Sequence, residues 1–275
     1  MRRRAFLLTA IAIGCHRSRP AEGGARRIVS MAASTTEALF AIGAGPQVVG
    51  RSRYCDYPPE ALSLPSIGGY VDPSLEAILG LRPDLVVGAR GPIGPGLVRT
   101  LEQRGIATWF PDTETLAAIE EMIAGLGRRT GHEREAVALL ATMRERRAAI
   151  EAALADVPRP RALLLFEKKP ISAAGPGSFP DEMLRVAGGR NVLVGGARYA
   201  TLSLEKLIAL DPDVILDSEM GAAPRPFDST WSAVRAVREG RVLRVADESV
   251  LRPGPRVFDG VATLARAMHP GVKLP

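Results

Sequence analysis

Short apolar runs punctuate the first half of the chain, at Arg27 to Met31, Val48 to Gly50, Leu85 to Gly88 and Ala107 to Phe110. Each is followed by a helix-like or loop segment, which predicts parallel strands alternating with helices in an α/β lobe. Ser34 with Glu37 three residues on forms a capping-box pattern, predicting a helix through Ala38 and Leu39 directly after the first strand. A different pattern holds from 131 to 157. Val137, Leu140, Met143, Ile150 and Leu154 recur at multiples of three to four residues among charges, with no proline until Pro158. This predicts one helix of about 25 residues, roughly 35–40 Å long, acting as a strut between two lobes. Pro158 and Pro160 end it, and Arg161 to Phe166 restart the strand pattern.

The second half repeats part of the first. Residues 74–87 (SLEAILGLRPDLVV) align without gaps to 203–216 (SLEKLIALDPDVIL), with six of fourteen positions identical and apolar positions matched throughout. The unit predicts a short helix, a Pro-Asp break and a buried strand. One such unit in each half implies two related α/β lobes.

Composition adds bounds. The 275 residues are 46% hydrophobic and 24% charged, which excludes disorder as the main state and suits two modest domains. The net charge of +6 invites a nucleic-acid reading, but Arg2, Arg3 and Arg4 form the only basic run of that kind and elsewhere bases alternate with acids. That triplet belongs to an export signal. A positive start, a short apolar stretch from Ala5 to Ile13 and then Gly14-Cys15 read as a secretory signal, too short to cross a bilayer. Ala12 to Cys15 is similar to a bacterial lipobox, with Cys15 the lipidated first mature residue, and residues 3–7 are similar to a twin-arginine signal. Cleavage before Cys15 removes the arginine triplet and half of the net charge. The expected layout is a signal peptide at 1–14, a lipid-anchored tether at 15–25, a first lobe at 26–130, the linking helix at 131–157 and a second lobe at 158–275.

With Cys15 acylated, Cys55 has no partner and reads as a small semi-buried residue, so no structural disulfide is expected. His16, His132 and His269 are scattered, and no zinc set emerges. The turn after the first strand, Ala32-Ala33-Ser34-Thr35-Thr36, lacks the glycines of a dinucleotide site. The run 91–96 (GPIGPG) carries prolines where a phosphate loop needs amide donors, and reads as a cleft-edge loop. No Gly-x-Ser-x-Gly elbow occurs. An enzyme is not expected.

Two features remain. Glu76 and Glu205 occupy the same turn of the repeated unit. With Asp72 or Thr201 as caps, each glutamate sits where the helix dipole favours an anion; alternatively, the pair anchors arginines of a two-fold partner. Tyr54, Tyr70 and Tyr199 fall in loops of both halves, which suits a flat apolar ligand held between the lobes.

From Arg27 to about Pro270 the chain resembles the substrate-binding proteins of bacterial ABC importers for cobalamin, haem and iron-siderophores. The matching residues are Arg27 to Ser30 with Thr36-Glu37, the run Asp56 to Ala61 (DYPPEA), Leu75-Glu76 with Arg82 to Val86, Leu204-Glu205 with Asp211 to Asp213, and Arg252 to Arg256 (RPGPR). The resemblance implies two Rossmann-like lobes with parallel sheets joined by one long helix, no catalysis and no cofactor of its own. The single linking helix predicts small lobe movement, and the export signal with Cys15 predicts a periplasmic or cell-surface location on a lipid anchor. Within the family the DYPPEA run is most similar to cobalamin receptors. The implied ligand is cobalamin or a related corrinoid, with haem or a ferric siderophore as the alternative and an α/β enzyme holding a cofactor as a lower one. The resemblance carries Tyr54, Tyr70 and Tyr199 onto pocket aromatics, Tyr70 and Tyr199 standing where the family has Trp, and places Ala89 where a further aromatic is expected. Ser34 and Arg252 fall at the same strand ends. Glu76 and Glu205 are carried onto the carboxylates that dock the permease dimer. For haem, Tyr70 or Tyr54 is the candidate iron ligand, and Arg252 and Arg256 either hold propionates or pair with Asp247 or Asp259.

Overall fold

The computed structural model describes residues 24–91, 94–219 and 225–275. The export signal, Cys15 and most of the tether lie outside them.

The first lobe runs β1 (Ile28–Ser30), α1 (Ala33–Ala41), β2 (Val48–Arg51), α2 (Leu75–Gly80), β3 (Leu85–Val87), α3 (Pro95–Gln103) and β4 (Ala107–Trp109). Its strands form one parallel sheet in the order β2-β1-β3-β4. The central β1 and β3 are buried throughout, which is why they read as unbroken apolar runs, whereas the edge strands β2 and β4 are only partly buried.

The start of α1 differs from the capping-box expectation. The N-cap is Ala32, which has no side chain to offer, and Ser34 lies inside the helix. Thr35 and Thr36 hydroxyls donate back to the Ala32 carbonyl at 3.0 and 3.1 Å. Residues Ser34 to Leu39 are all buried, so α1 enters the interior head first, and Glu37 is spent elsewhere.

Next come α4 (Leu116–Thr130) and α5 (Glu133–Ala153), packed on each other and separated by Gly131 in the left-handed region at φ 79°. At 21 residues, α5 spans about 31 Å. Its inward face is Ala136, Leu140, Met143 and Ile150, continued by Leu154. Val137, counted above as an apolar position, is 68% exposed because it is one residue, about 100°, off that face.

The second lobe runs β5 (Arg161–Lys168), β6 (Ile171–Ala174), α6 (Phe179–Val186), β7 (Arg190–Asn191), β8 (Tyr199–Leu202), α7 (Leu204–Leu210), β9 (Val214–Asp217), α8 (Arg235–Arg238), β10 (Val242–Arg244) and α9 (Val257–Met268). Its sheet, ordered β10-β9-β5-β6-β8 with β7 also on β5, is mixed rather than parallel. The eight-residue β5 turns back at Lys169-Pro170 into an antiparallel hairpin with β6, and β8 adds antiparallel to β6.

The repeated unit is reproduced in three dimensions. Ser74 and Ser203, not Asp72 or Thr201, cap α2 and α7, accepting hydrogen bonds from Ala77 and Lys206 at 3.1 and 3.2 Å. Arg82 and Asp211, at matching positions, both adopt a left-handed backbone, at φ 47° and 42°. Asp84 then accepts the Arg27 amide at 3.1 Å, and Asp213 the Arg161 amide at 2.9 Å. The guanidinium groups of Arg27 and Arg161 close each helix end, on the Leu81 and Leu210 carbonyls, both at 2.7 Å.

One buried apolar cluster runs without a break from Ile28 and Leu39 through Ile123 and Met143 to Met183 and Phe258, crossing from lobe to lobe beside α5. Smaller clusters fill the outer face of each sheet.

Candidate functional site

The carboxyl ends of β1, β2 and β3 open on a cavity of about 260 Å³. Its floor is Ala32, Ala33 and Ser34 at the start of α1; Tyr54 and Tyr70 form one wall, and Leu251, Arg252 and Pro253 close it from the second lobe. The lining is almost wholly apolar because the polar groups behind it are already paired. Under the floor, the Ser30 hydroxyl meets the Thr36 hydroxyl at 2.8 Å and the Thr35 hydroxyl at 2.9 Å. Cys55 is completely buried behind this layer.

Tyr70 donates its hydroxyl to the Ala89 carbonyl at 2.9 Å, and burial pushes its pKa up, with the Glu114 carboxylate adding to the effect. Gly91 makes this position possible: a Cβ there would lie 2.5 Å from the Tyr70 oxygen. Tyr54 stands at the mouth, 56% exposed.

The structure gathers Ser34, Tyr54, Tyr70 and Arg252 in this one cavity and leaves two expected residues outside its lining. Tyr199 opens strand β8 instead of lying in a loop. It leans on Phe166, with ring centroids 6.1 Å apart, and its hydroxyl donates to the Glu114 carboxylate at 2.8 Å, from one lobe to the other. Burial first, then that hydrogen bond, pushes the Tyr199 phenol far above its ordinary range.

Arg256 stacks on the Tyr57 ring at 3.8 Å and forks onto Glu37. Arg252 reaches Glu37 at 3.2 Å, Asp56 at 2.6 Å and Glu248 at 2.5 Å. Asp247 and Asp259 are engaged otherwise: Asp247 caps the turn at Ser249 and accepts from Thr263, and Asp259 pairs with Arg146. Burial works against the charge on Arg252, but the hydrogen bond to Asp56 and the carboxylates around it raise its pKa on balance. The same contact holds the Asp56 carboxyl below the usual carboxylate range.

Glu37 and Glu114 escaped sequence reasoning as site residues. The first was assigned to a local cap, and the second lies in a polar stretch with no motif around it.

Glu76 and Glu205 stand exposed in the first turns of α2 and α7. The Ser203 hydroxyl holds the Glu205 carboxyl below its ordinary value. A wider groove of about 570 Å³ lies beside α5, but its walls are charged and engaged with each other, Arg147 with Glu151 at 2.9 Å and Arg185 with Glu182 at 3.8 Å. The strand-end cavity, apolar and placed where α/β sheets bind ligands, is the better candidate. Among the described residues no cluster of His, Cys, Asp and Glu suits a metal ion, and no helix is long and apolar enough to cross a membrane.

Two α/β lobes bridged by one long helix, with an apolar cavity at the strand ends between them, define a ligand-binding receptor of the helical-backbone kind. The sequence profile of the periplasmic binding protein family matches residues 28–248, and the chain belongs to that family. It is 29% identical over 239 residues to the vitamin B12-binding protein of Vibrio cholerae, covering 86% of this chain and 87% of that one. The crystal structure of the periplasmic vitamin B12 binding protein BtuF of Vibrio cholerae superposes with a TM-score of 0.79 at 28% identity, covering 89% of this chain and 97% of the other. A periplasmic heme binding protein from Pseudomonas aeruginosa superposes with a TM-score of 0.78 at 29% identity, covering 90% and 94%.

Proposed function

We propose that this protein is the substrate-binding component of an ABC importer, capturing cobalamin or a related corrinoid between its lobes and delivering it to the permease. The observation that carries this reading is the cavity itself: apolar, floored by alanines and faced by two phenols, with its one cation already committed to three carboxylates. A flat macrocycle edged with neutral amides suits such a surface, the phenols supplying polar contacts at the edge. At about 260 Å³ the cavity takes one edge of so large a ligand, and the remainder lies against the rim beside Tyr54.

Haem is the second reading, favoured by the likeness to a heme binding protein and by the exposed Tyr54 phenol at the mouth. Against it, Arg252 and Arg256 are saturated by Glu37 and its neighbours and are not free for propionates.

The protein does no chemistry on its ligand in this reading. Glu76 and Glu205 meet basic residues of the permease dimer, which works with its cytoplasmic ATPase, and Cys15 carries the lipid that holds the receptor at a membrane surface. Titration of the purified mature protein with cyanocobalamin, haemin and a ferric hydroxamate siderophore tests the reading. Saturable binding of cyanocobalamin, tighter than of the other two, is expected. Loss of about tenfold in affinity on Tyr70→Ala locates it in the cavity. Failure to bind any of the three overturns the reading.

A further inference from the structure

A carboxylate without an ion-pair partner bridges the two lobes. Glu114 lies in the segment that leaves the carboxyl end of β4, between Pro111 and the N-cap of α4 at Thr115. Its amide donates to Asp112 at 2.8 Å, which fixes the turn, and its carboxylate accepts the Tyr199 hydroxyl at 2.8 Å from the opposite lobe. It is close enough to Tyr70, which lines the cavity, to act on that phenol as well.

The other charges nearby do not neutralise it. Asp112 has its own partner, Arg90, at 3.9 Å. Arg252 is held by three carboxylates, and Arg198 adjoins Tyr199 but makes no ion pair with Glu114. Among the described residues Glu114 makes no ion pair, so the carboxylate between Tyr70 and Tyr199 is neutralised by no direct contact.

We propose that Glu114 is a specificity-determining residue that repels chelates with anionic edges and accepts hydrogen bonds from ligands edged with neutral amides. The inference rests on the corrinoid reading above and adds to it a named device. Discrimination by charge works through the penalty on the wrong ligand as well as through contacts to the right one. A carboxylate partly withdrawn from solvent acts on a propionate in a medium of lower dielectric than water, so the repulsion is not screened away. The same charge opposes ionisation of the two phenols, which disfavours phenolate ligation of ferric iron. For an amide N–H, the Glu114 oxygens offer acceptors already oriented by Tyr199 and by the Asp112 turn.

The test compares one macrocycle with and without its charges. Haemin and its dimethyl ester share ring, metal and shape, and differ by two carboxylates. Binding of both, and of cyanocobalamin, is measured for the wild-type protein and for Glu114→Gln, with urea unfolding as a check that the isosteric variant folds. The expected result is that the wild type prefers the ester over haemin by about tenfold or more and that Glu114→Gln abolishes the preference by gaining affinity for haemin. Cyanocobalamin binding by Glu114→Gln weakens by about three- to tenfold, because a charged acceptor is replaced by a neutral one. Spectrophotometric titration of tyrosine in Glu114→Gln shows one or two phenols ionising at lower pH. An unchanged ratio of ester to haemin overturns the proposal while leaving the corrinoid reading standing if cyanocobalamin binds. Absence of binding of all three by the wild type overturns both.

Discussion

The Arg256 guanidinium closes on the Glu37 carboxylate with two hydrogen bonds, Nε to Oε2 at 2.9 Å and Nη2 to Oε1 at 2.7 Å. Glu37 is on α1 of the first lobe and is almost fully buried; Arg256 caps α9 of the second. Arg252 completes the clasp and carries it to Asp56 and Glu248. The clasp lies against the cavity, so the groups that shape the binding surface from the second lobe are held by a carboxylate of the first.

Replacing Glu37 by Gln keeps the shape and removes the charge. Arg256 then loses its bidentate partner and Arg252 one of three, with both guanidinium groups still partly withdrawn from water. Breaking a buried pair from one side costs about 3–5 kcal/mol, and the remaining partners of Arg252 place this variant near the lower end. Urea unfolding followed by circular dichroism checks it, and a loss under about 0.5 kcal/mol contradicts the assignment.

Lys168 makes the second test. It is 3% exposed at the end of β5 and bridges Asp217 at 2.8 Å and Glu219 at 2.6 Å. Lys168→Met leaves two buried carboxylates facing each other, with Arg244 at 3.4 Å and Arg225 at 3.5 Å as the remaining cations and the Glu219 and Arg225 amides as donors. A loss of about 3 kcal/mol or more is expected. Adding Glu219→Gln to the variant restores part of it, because one of the opposed charges is gone; strict additivity of the two changes counts against the network.

These two clusters also mark the limit of what was legible in the sequence. Strands β1, β3 and β5 announced themselves because their buried residues form continuous apolar runs, and β2 and β4 because short apolar stretches follow the helices before them. The repeated unit was visible because Ser74 and Ser203, and the Pro-Asp breaks after Arg82 and Asp211, do the same local work in each lobe. Glu37 was misassigned because a capping box is a local signature, whereas its true partner is 219 residues away. The hairpin that mixes the second sheet was missed because 167–170 (EKKP) reads as loop, and Lys168 is buried only through partners about fifty positions distant. Tyr199 read as loop because β8 follows a glycine-rich stretch and pairs only with β6. Glu114 had no sequence signal, since what distinguishes it is a phenol on the other lobe.

Acid should loosen the clasp. The Asp56 carboxyl is held down chiefly by its hydrogen bond from Arg252, and Asp228 is lowered to about 2 by the Thr230 hydroxyl and then by Lys169. A carboxyl depressed in the folded state contributes stability above its unfolded value, near 3.9, and that contribution is lost as pH falls through the folded value. Urea midpoints are therefore expected to decline from about pH 4 toward pH 2, and less steeply in Asp56→Asn. An identical slope in the variant removes Asp56 from the account.

For docking, charge reversal at Glu76 and at Glu205 separates the two roles open to them. Both are exposed first-turn residues outside the cavity lining, so ligand affinity is expected to stay within about twofold, with a small loss of stability from the unfavourable charge at each helix start. Uptake by cells carrying the cognate importer is expected to fail. Intact uptake with the same stability loss assigns the glutamates to their helices alone.

The lobes should move little on binding. They are joined by the Glu37 clasp, by the Leu116 amide donating to Glu182 at 2.7 Å, and by an apolar cluster that passes between them beside α5. Opening a hinge here would break all three at once, unlike the strand-hinged receptors whose lobes part across solvent. Val71 and Val194, 68% and 92% exposed on the first and second lobes, offer sites for spin labels as cysteines, and the fully buried Cys55 does not compete for the reagent. In a chain starting after Cys15, the distance between the labels is expected to shift by less than about 2 Å when cyanocobalamin is added. A larger change would mean that the Glu37 clasp opens in the binding cycle, and Glu37→Gln would then alter the on-rate instead of stability alone.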